Sequence, residues 1–390
     1  MIVLLTTAAL VAAAAARAHT NLVRTEPVDR AVLERAPARV VVSFDDEVRV
    51  APGNAAVRNG GGSILRAKPA VHAKTLVLPL RPRLDKGNYS VRWSVVSDDG
   101  HVVQGVLAFS VATGRAPPAP TLRLTNDVGF GTVFSRSIFF AGLLVASGLA
   151  LFDLLVWRPL ARDGIRTGWI AIGLAAMFVA SHGLVHASHG GDATRFGLTI
   201  DIASAIAATG AAAAAIAVGD RAASPFAVVL ALLVLPAPTL AGHALDPGRS
   251  WLDVPVDLLH VLAAAVWTGG LFALVLVLPR EGASPELLGA AARRFSKLAL
   301  ASVLVLTATG VGRALAELSA VSQLWTTGYG QAILAKSGLF ALLVGLGSLA
   351  RARVQTAAER LRAVVISELA LVLGVVVAVA VLTSLRPGRR

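Results

Sequence analysis

Long runs of Ala, Leu and Val with few charges recur from about residue 132 onward, each near the ~20 residues that a bilayer-crossing helix needs. In lipid such a run can satisfy its backbone hydrogen bonds only as a helix, so most of the chain is committed to an all-α membrane domain. The first third differs. Polar residues alternate there with apolar ones, and Pro/Gly pairs punctuate the pattern. Across 390 residues, 55% are hydrophobic and 15% charged, which excludes an ordinary soluble protein. The chain has no cysteine, so disulfides, thiolate metal sites and cysteine nucleophiles are excluded. Two methionines are too few for a methionine-rich soft-metal surface, so a bound metal must use His, carboxylate or amine.

Residues 1–18, MIVLLTTAALVAAAAARA, have the length and apolarity of a signal peptide, and Ala16-Arg17-Ala18 fits the small-x-small cleavage rule. Cleavage makes His19 the new N-terminus. No Lys or Arg precedes the apolar core, which keeps a retained anchor as the alternative. Period two then dominates residues 19–113. Tyr89, Val91, Trp93 and Val95 share one face of a strand, and similar runs occupy Arg39–Phe44, Ala55–Arg58, Thr75–Leu80 and Val102–Val111. Turn signals at Pro52-Gly53, Asn59 to Gly62 and Asp85-Lys86-Gly87 separate them, predicting an all-β, immunoglobulin-like sandwich. Residues 114–131 form a linker, opening with the extended, proline-rich Gly114–Pro120.

The membrane domain is expected over 132–390. About eight spans fit, at 132–157, 168–187, 198–218, 225–245, 252–278, 295–317, 330–350 and 363–385. The net charge of +13 maps onto loops between them. With the sandwich exported, the inner loops carry Arg158, Arg162, Arg166, Arg221, Arg280, Arg293, Arg294, Lys297, Arg351, Arg353, Arg360 and Arg362. The outer loops hold Arg195, Arg249 and Arg313, in agreement with the positive-inside rule. Arg386, Arg389 and Arg390 in the tail are a mild exception. The expected location is the plasma membrane, multi-pass, with the N-terminal domain on the periplasmic or extracellular side. A lipid bilayer is thus one partner, and no basic stripe interleaved with aromatics points to nucleic acid.

A free His19 offers an α-amine and an imidazole, a bidentate nitrogen chelate suited to Cu(II). In Ser97-Asp98-Asp99-Gly100-His101, Asp99 and His101 share a face if the segment is extended, and together the three residues complete a nitrogen-rich, carboxylate-assisted set. Taken alone, the acidic pair before Gly100 reads more simply as a turn. The stretch YSVRWSVVSDDGHVVQGVLAFSV, from Tyr89 to Val111, resembles the CopC family of copper-binding periplasmic proteins, as do His19-Thr20-Asn21-Leu22 and Glu26-Pro27. That resemblance implies His19, Asp99 and His101 as Cu(II) ligands. It has no counterpart here of the methionine-rich Cu(I) site, and His72 reads as a surface residue.

A second set lies in the membrane domain. His182, His186 and His189 follow at i, i+4 and i+7, then come His243 and the i, i+3 pair Asp257 and His260. The topology puts all of them in the outer half, where buried ionisable groups mark pathways or cofactors. His189 alone reads as interfacial, leaving His182, His186, His243, Asp257 and His260 as a metal pathway. Asp201 reads equally as an orienting partner for an imidazole or as an interfacial carboxylate. Ala241-Gly242-His243-Ala244, Asp257 to His260 running to Trp267-Thr268-Gly269-Gly270-Leu271, Arg294-Phe295-Ser296, and Thr327 to Gly330 with Lys336 resemble the CopD family of copper-transport membrane proteins. Other features take plainer readings. Arg313, Glu317, Lys336 and Glu368 sit near span ends, Gly269-Gly270 permits close packing, and Ser284 to Lys297 forms a connecting helix.

The expected function is capture of Cu(II) on the external face and transfer to the membrane domain for uptake, with Cu(I) as the alternative species within the membrane. The chain reads as a transporter and copper-binding protein, not an enzyme. It shows no ATP motif, so a gradient or cytoplasmic trapping would drive transport, with a copper chaperone or reductase as the partner such a route calls for. Two rivals differ in kind. Paired histidines on facing helices suit a haem- or copper-dependent redox protein, and external sequestration would confer resistance without transport.

Overall fold

The computed structural model describes residues 21–58, 61–100, 102–120, 130–161, 164–187, 194–219, 224–245, 250–277, 282–318, 320–353 and 358–385. The expected leader, His19, His101 and His189 lie outside the described residues, as do the side chains of His186 and His243.

The described part of the first third folds as β1 (Leu22–Glu26), β2 (Ala31–Leu33), β3 (Arg39–Phe44), β4 (Val48–Val50), β5 (Ala55–Arg58), β6 (Ala70–His72), β7 (Thr75–Pro79), β8 (Gly87–Ser97) and β9 (Val102–Val111). One sheet runs β1-β3-β7-β6, the other β2-β9-β8-β4, with β5 also pairing β8. Period two brings Tyr89, Val91, Trp93 and Val95 of β8 into the core between the sheets. Tyr89 stacks on Phe109 at 5.4 Å between centroids, and its hydroxyl donates to the Asp85 carbonyl at 2.6 Å. Trp93 meets Phe44 edge-on and lies across Gly105, its register partner on β9. A Cβ at position 105 would run into the indole, so that glycine makes room for the tryptophan. β3, β5, β7 and β9 occupy the stretches expected of them, β7 ending one residue early at Pro79. β1 escapes pattern reading because most of its residues are exposed, so neither face is marked by apolar side chains. β2, β4 and β6 have three residues each, too few for an alternation to register.

After β9, Gly114–Pro120 has neither helix nor strand but is strapped to the sandwich. Ser110 Oγ donates to the Arg115 carbonyl at 2.7 Å, and Arg30 Nε to the Pro117 carbonyl at 3.3 Å.

The helical part comprises α1 (Phe130–Phe152), α2 (Gly168–Ala187), α3 (Arg195–Gly219), α4 (Ser224–Leu233), α5 (Asp253–Phe272), α6 (Pro285–Glu317), α7 (Gly328–Arg353) and α8 (Ala358–Leu382), with shorter turns between. Among the described residues, 7 helical segments are long and apolar enough to cross a membrane, and α8 adds the apolar stretch Glu368–Leu382. Two stretches depart from the sequence pattern. The fourth span is not one helix: α4 stops before Pro236, a short helix covers Ala237–Ala241, and a single tight turn follows at His243–Leu245. Pro236 and Pro238 have no N–H to donate, and a rigid ring at each disrupts the ladder before it. The connecting helix expected at Ser284–Lys297 instead runs without interruption into the sixth span as α6, its first turn capped by Ser284 Oγ. Arg294, near the start of α6, donates to the Leu155 carbonyl at 2.8 Å and ties that end of the helix to the turn following α1.

α1 is the hub, packed on α2, α4, α5 and α8. Its approach to two of these depends on glycines that face glycines. Gly142 meets Gly173 of α2, and Gly148 meets Gly269 of α5, where a Cβ on Gly148 would lie 2.7 Å from the Gly269 Cα. The next residue, Gly270, is covered by the Phe295 ring of α6. The pair therefore serves close packing. A side chain at either crossing would meet backbone, which cannot swing aside. Gly269→Val is expected to cost about 3 kcal/mol or more, at the upper end of overpacking penalties, read as a lower unfolding temperature of the detergent-solubilised protein.

Candidate metal centre

The turn between β8 and β9 is built to present acidic residues. Gly100 adopts φ +83°, a left-handed conformation that a side chain disfavours, and its N–H donates to the Ser97 carbonyl at 2.9 Å. Asp99, two residues after Ser97, is 4% exposed and accepts a hydrogen bond from the Ser97 hydroxyl. Asp98 points the other way, to the helical domain. Its carboxylate accepts the Arg195 backbone N–H at 2.9 Å, and its carbonyl accepts the Phe196 N–H at 3.2 Å. The Arg195 guanidinium approaches the same carboxylate at 3.9 Å. Asp98 thus caps α3 from another part of the chain, satisfying N–H groups that a helix start leaves without partners.

Three further elements converge on this seat. Gly100 rests on the Phe196 ring, where an added Cβ would stand 3.1 Å from Cγ. Arg136, on α1, has its guanidinium 5.8 Å above that ring and donates to the Thr383 carbonyl just past α8. Arg195 Nη2 donates to the Gly242 carbonyl at 3.1 Å. Gly242 is extended and ends the short helix after α4, so its carbonyl is free to accept, and the next residue is His243. The Asp98–Gly100 turn and the backbone leading into His243 are consequently joined through one arginine.

The remaining membrane candidates divide. His182 is exposed, its Nδ1 lies 3.0 Å from the Phe178 carbonyl one turn earlier, and its ring meets Phe178 edge-on. His186 belongs to the last turn of α2. Asp257 forms an ion pair with Arg313 of α6, and Arg313 lies 4.0 Å from the buried Glu317. His260 Nδ1 is 2.7 Å from Thr309 Oγ1, whose own proton goes to the Val305 carbonyl at 2.6 Å. Since that hydroxyl has one proton and spends it on Val305, the imidazole must donate from Nδ1, which leaves the Nε2 lone pair as the metal-binding atom. Among the described residues, no group of three or more His, Asp or Glu side chains is gathered to hold a metal ion. His182, Asp257 and His260, the three pathway residues whose side chains are described, are therefore not gathered into one site.

Pattern reading missed Asp98, Phe196 and Arg136 as parts of the seat. Arg136 carried a usable signal, as the lone charge in the α1 sequence. Asp98 and Phe196 carried none, since their roles depend on two distant segments meeting. Asp98→Ala removes the cap. It is expected to cost about 1 kcal/mol locally and to raise hydrogen exchange at the Arg195 and Phe196 amides, while the strand amides of β8 and β9 stay protected.

Comparison with known proteins follows the same division. Residues 22–112 match the family model described as CopC domain, and residues 289–382 the one described as Copper resistance protein D. The chain is 28% identical over 364 residues to Copper transport protein CutJ of Bacillus subtilis (strain 168), covering 85% of this chain and 67% of that protein. It is 34% identical over 113 residues to Copper resistance protein C of Xanthomonas campestris pv. juglandis, covering 27% of this chain and 88% of that protein. The crystal structure of CopC from Methylosinus trichosporium OB3b aligns at 24% identity over 27% of this chain and 100% of that chain, with a TM-score of 0.22. Through its sandwich the chain belongs to the CopC family, and it carries a copper resistance protein D domain in the same polypeptide.

Proposed function

We propose that the protein captures Cu(II) on the outer face of the plasma membrane and passes it from the sandwich to the helical domain for uptake. The capturing donors are the His19 α-amine and imidazole, the Asp99 carboxylate and the His101 imidazole. The receiving donors are His243 first and His260 deeper in the bundle, with Asp257 holding the local charge through Arg313 and with His182 and His186 at the same end. One observation carries this reading. The turn that holds Asp99 is seated on the bundle beside Gly242, the residue before His243, by bonds from Asp98 and Arg195. Ligand exchange between two sites needs donors held within reach of both, and a docked turn supplies that without a diffusing carrier. Basic residues at the opposite end of the helices, such as Arg158 after α1 and Arg294 near the start of α6, support placing the sandwich outside. The chain acts here as a binding protein and transporter, with copper as cargo.

The test is cellular copper accumulation at fixed external copper, comparing the intact protein with His243→Ala/His260→Ala at matched membrane levels. Higher accumulation, lost in the double variant, is expected. Lower accumulation with the intact protein would reverse the direction, and equal accumulation would overturn transport. The capture site also predicts a pH dependence. An α-amine with an ordinary pKa near 7.7–8.0 and two imidazoles with ordinary values near 6.5 must all be deprotonated before they bind metal. Cu(II) affinity is therefore expected to be full above about pH 8 and to weaken progressively below it, by about tenfold per pH unit for each competing group once below its pKa, as read by competition with a chromophoric chelator.

A further inference from the structure

The apolar run from Ala363 to Leu382 in α8 contains a single ionisable residue, Glu368. It lies about 9 Å along the chain axis past Arg362, the last charge before it, and about 22 Å along the helix from Thr383. Thr383 marks the sandwich end, where its carbonyl accepts from Arg136 beside Phe196. A carboxylate among apolar helices relieves its cost by reaching water or a cation. Glu368 does neither. It is 4% exposed and makes no hydrogen bond or ion pair among the described residues. Its Oε1 stands against Gly347 of α7, where an added Cβ would lie 3.6 Å away. The glycine leaves the carboxyl a niche between α7 and α8 and offers it no side chain to pair with.

The elements packed on α8 are α7, α1 and α5 with the turn that follows it. On α7, Tyr329 and Lys336 lie in the first half of the helix, Lys336 about 16 Å along it from Gly347. Arg351 and Arg353 close α7 with side chains outside the described ones. On α1 the one charge is Arg136, at the sandwich end. Asp153, just past α1, is spent on Arg158 Nε and the Ile165 N–H. On α5, Asp253, Asp257 and His260 all fall in the opening turns. None of these charges acts on Glu368. Burying a carboxylate with neither cation nor donor costs so much that the group holds a proton instead. A metal ion needs several donors, and among the described residues no three His, Asp or Glu side chains are gathered. A proton needs one oxygen.

We propose that Glu368 is a proton-binding site of the helical domain, neutral while α7 and α8 are packed as seen and releasing its proton to the aqueous side away from the sandwich when that interface opens to water. In the release the carboxyl O–H bond breaks, the proton passes to water and the carboxylate is hydrated. Closure takes the proton back. Joined to the transport reading, on which this last step rests, the site names the proton as the ion whose gradient drives uptake. α8 packs directly on α5, which carries Asp257 and His260, so the two sites share one set of helix contacts.

The first experiment reads the proton site on the full chain in lipid nanodiscs, without metal. Dicyclohexylcarbodiimide is apolar and adds to protonated carboxyls in apolar surroundings, whereas a charged, water-soluble carbodiimide reaches exposed ones. Peptide mass spectrometry is expected to find the apolar adduct and not the charged one on Glu368, the reverse on the exposed Glu34 of the sandwich, and severalfold less Glu368 adduct at alkaline pH. No apolar adduct on Glu368, or a yield unchanged up to alkaline pH, would overturn the inference. The second experiment gives external Cu(II) to vesicles that hold the full chain and an internal pH dye. Copper entry with an internal pH change is expected. Glu368→Gln, which copies the neutral acid but has no proton to release, should lose that change, and Glu368→Asp, which keeps a carboxyl, should retain part of it. Copper entry with no pH change, or with the same change in Glu368→Gln, would overturn the coupling. Wild-type vesicles that take up no copper would overturn the transport reading, and the labelling result would then decide the proton site by itself.

Discussion

A helix start exposes backbone N–H groups that no intrahelical carbonyl can reach, and at α3 the sandwich answers them. Asp98 takes the Arg195 N–H on its carboxylate and the Phe196 N–H on its carbonyl, so the link between the two halves of the chain is a capping interaction. Such a link is directional. Gly100 must adopt its left-handed turn for Asp98 to face α3 while Asp99 turns back to Ser97. A residue with a side chain at position 100 would strain the turn and press on Phe196 at once. The position of Arg195 relative to Gly242 follows from this one seat.

The helical domain supports the seat by keeping one end of the bundle in register. Trp267 to Leu271 shows how few residues are needed. Gly269 lies against Gly148 of α1, Gly270 lies under Phe295 of α6, and Trp267 meets Phe340 of α7 edge-on at 5.6 Å. One turn of α5 therefore sets the distance to three neighbours. With that turn fixed, Asp257 and His260, two to three turns earlier, are held opposite Arg313 and Thr309 of α6. Small residues at crossings and polar residues near the helix ends are two parts of one arrangement: close backbone contact leaves little freedom for the polar groups to find other partners.

Much of this was legible in the sequence, and the reasons for the remainder are physical. β8 announced itself because its two faces differ in what they touch, and the long apolar runs because lipid permits nothing else. The edge strand β1 has no buried face to announce, and α4 ends early because two prolines act where an apolar count sees an unbroken span. The acidic turn drew attention through Asp99, yet its neighbour Asp98 makes the bond to the bundle. Its partners Arg195 and Phe196 lie about a hundred residues on, where spacing carries no information about contact. Arg136 was visible as a solitary charge in an apolar run, but its place over the Phe196 ring depends on the packing of α1 beside α3. Likewise Asp257 and His260 stood out at i, i+3, whereas their occupation by Arg313 and Thr309 belongs to the packing of α5 on α6.

That occupation bears on the proposed route. Asp253, Asp257 and Glu317 all act on Arg313, and Lys336 lies within electrostatic reach of Arg313, Asp257 and His260. The charged groups that act on the imidazole itself are the cations Lys336 and Arg313, and its Nδ1 is committed to Thr309. A neutral imidazole with its lone pair on Nε2 binds a metal cation without having to be desolvated as an ion, as a free carboxylate would. Asp257 then matters through Arg313. Removing Arg313 takes the ion-pair partner from Asp257, whereas removing Asp257 leaves Arg313 beside Glu317 and Asp253, so their effects on the route are coupled and would not add.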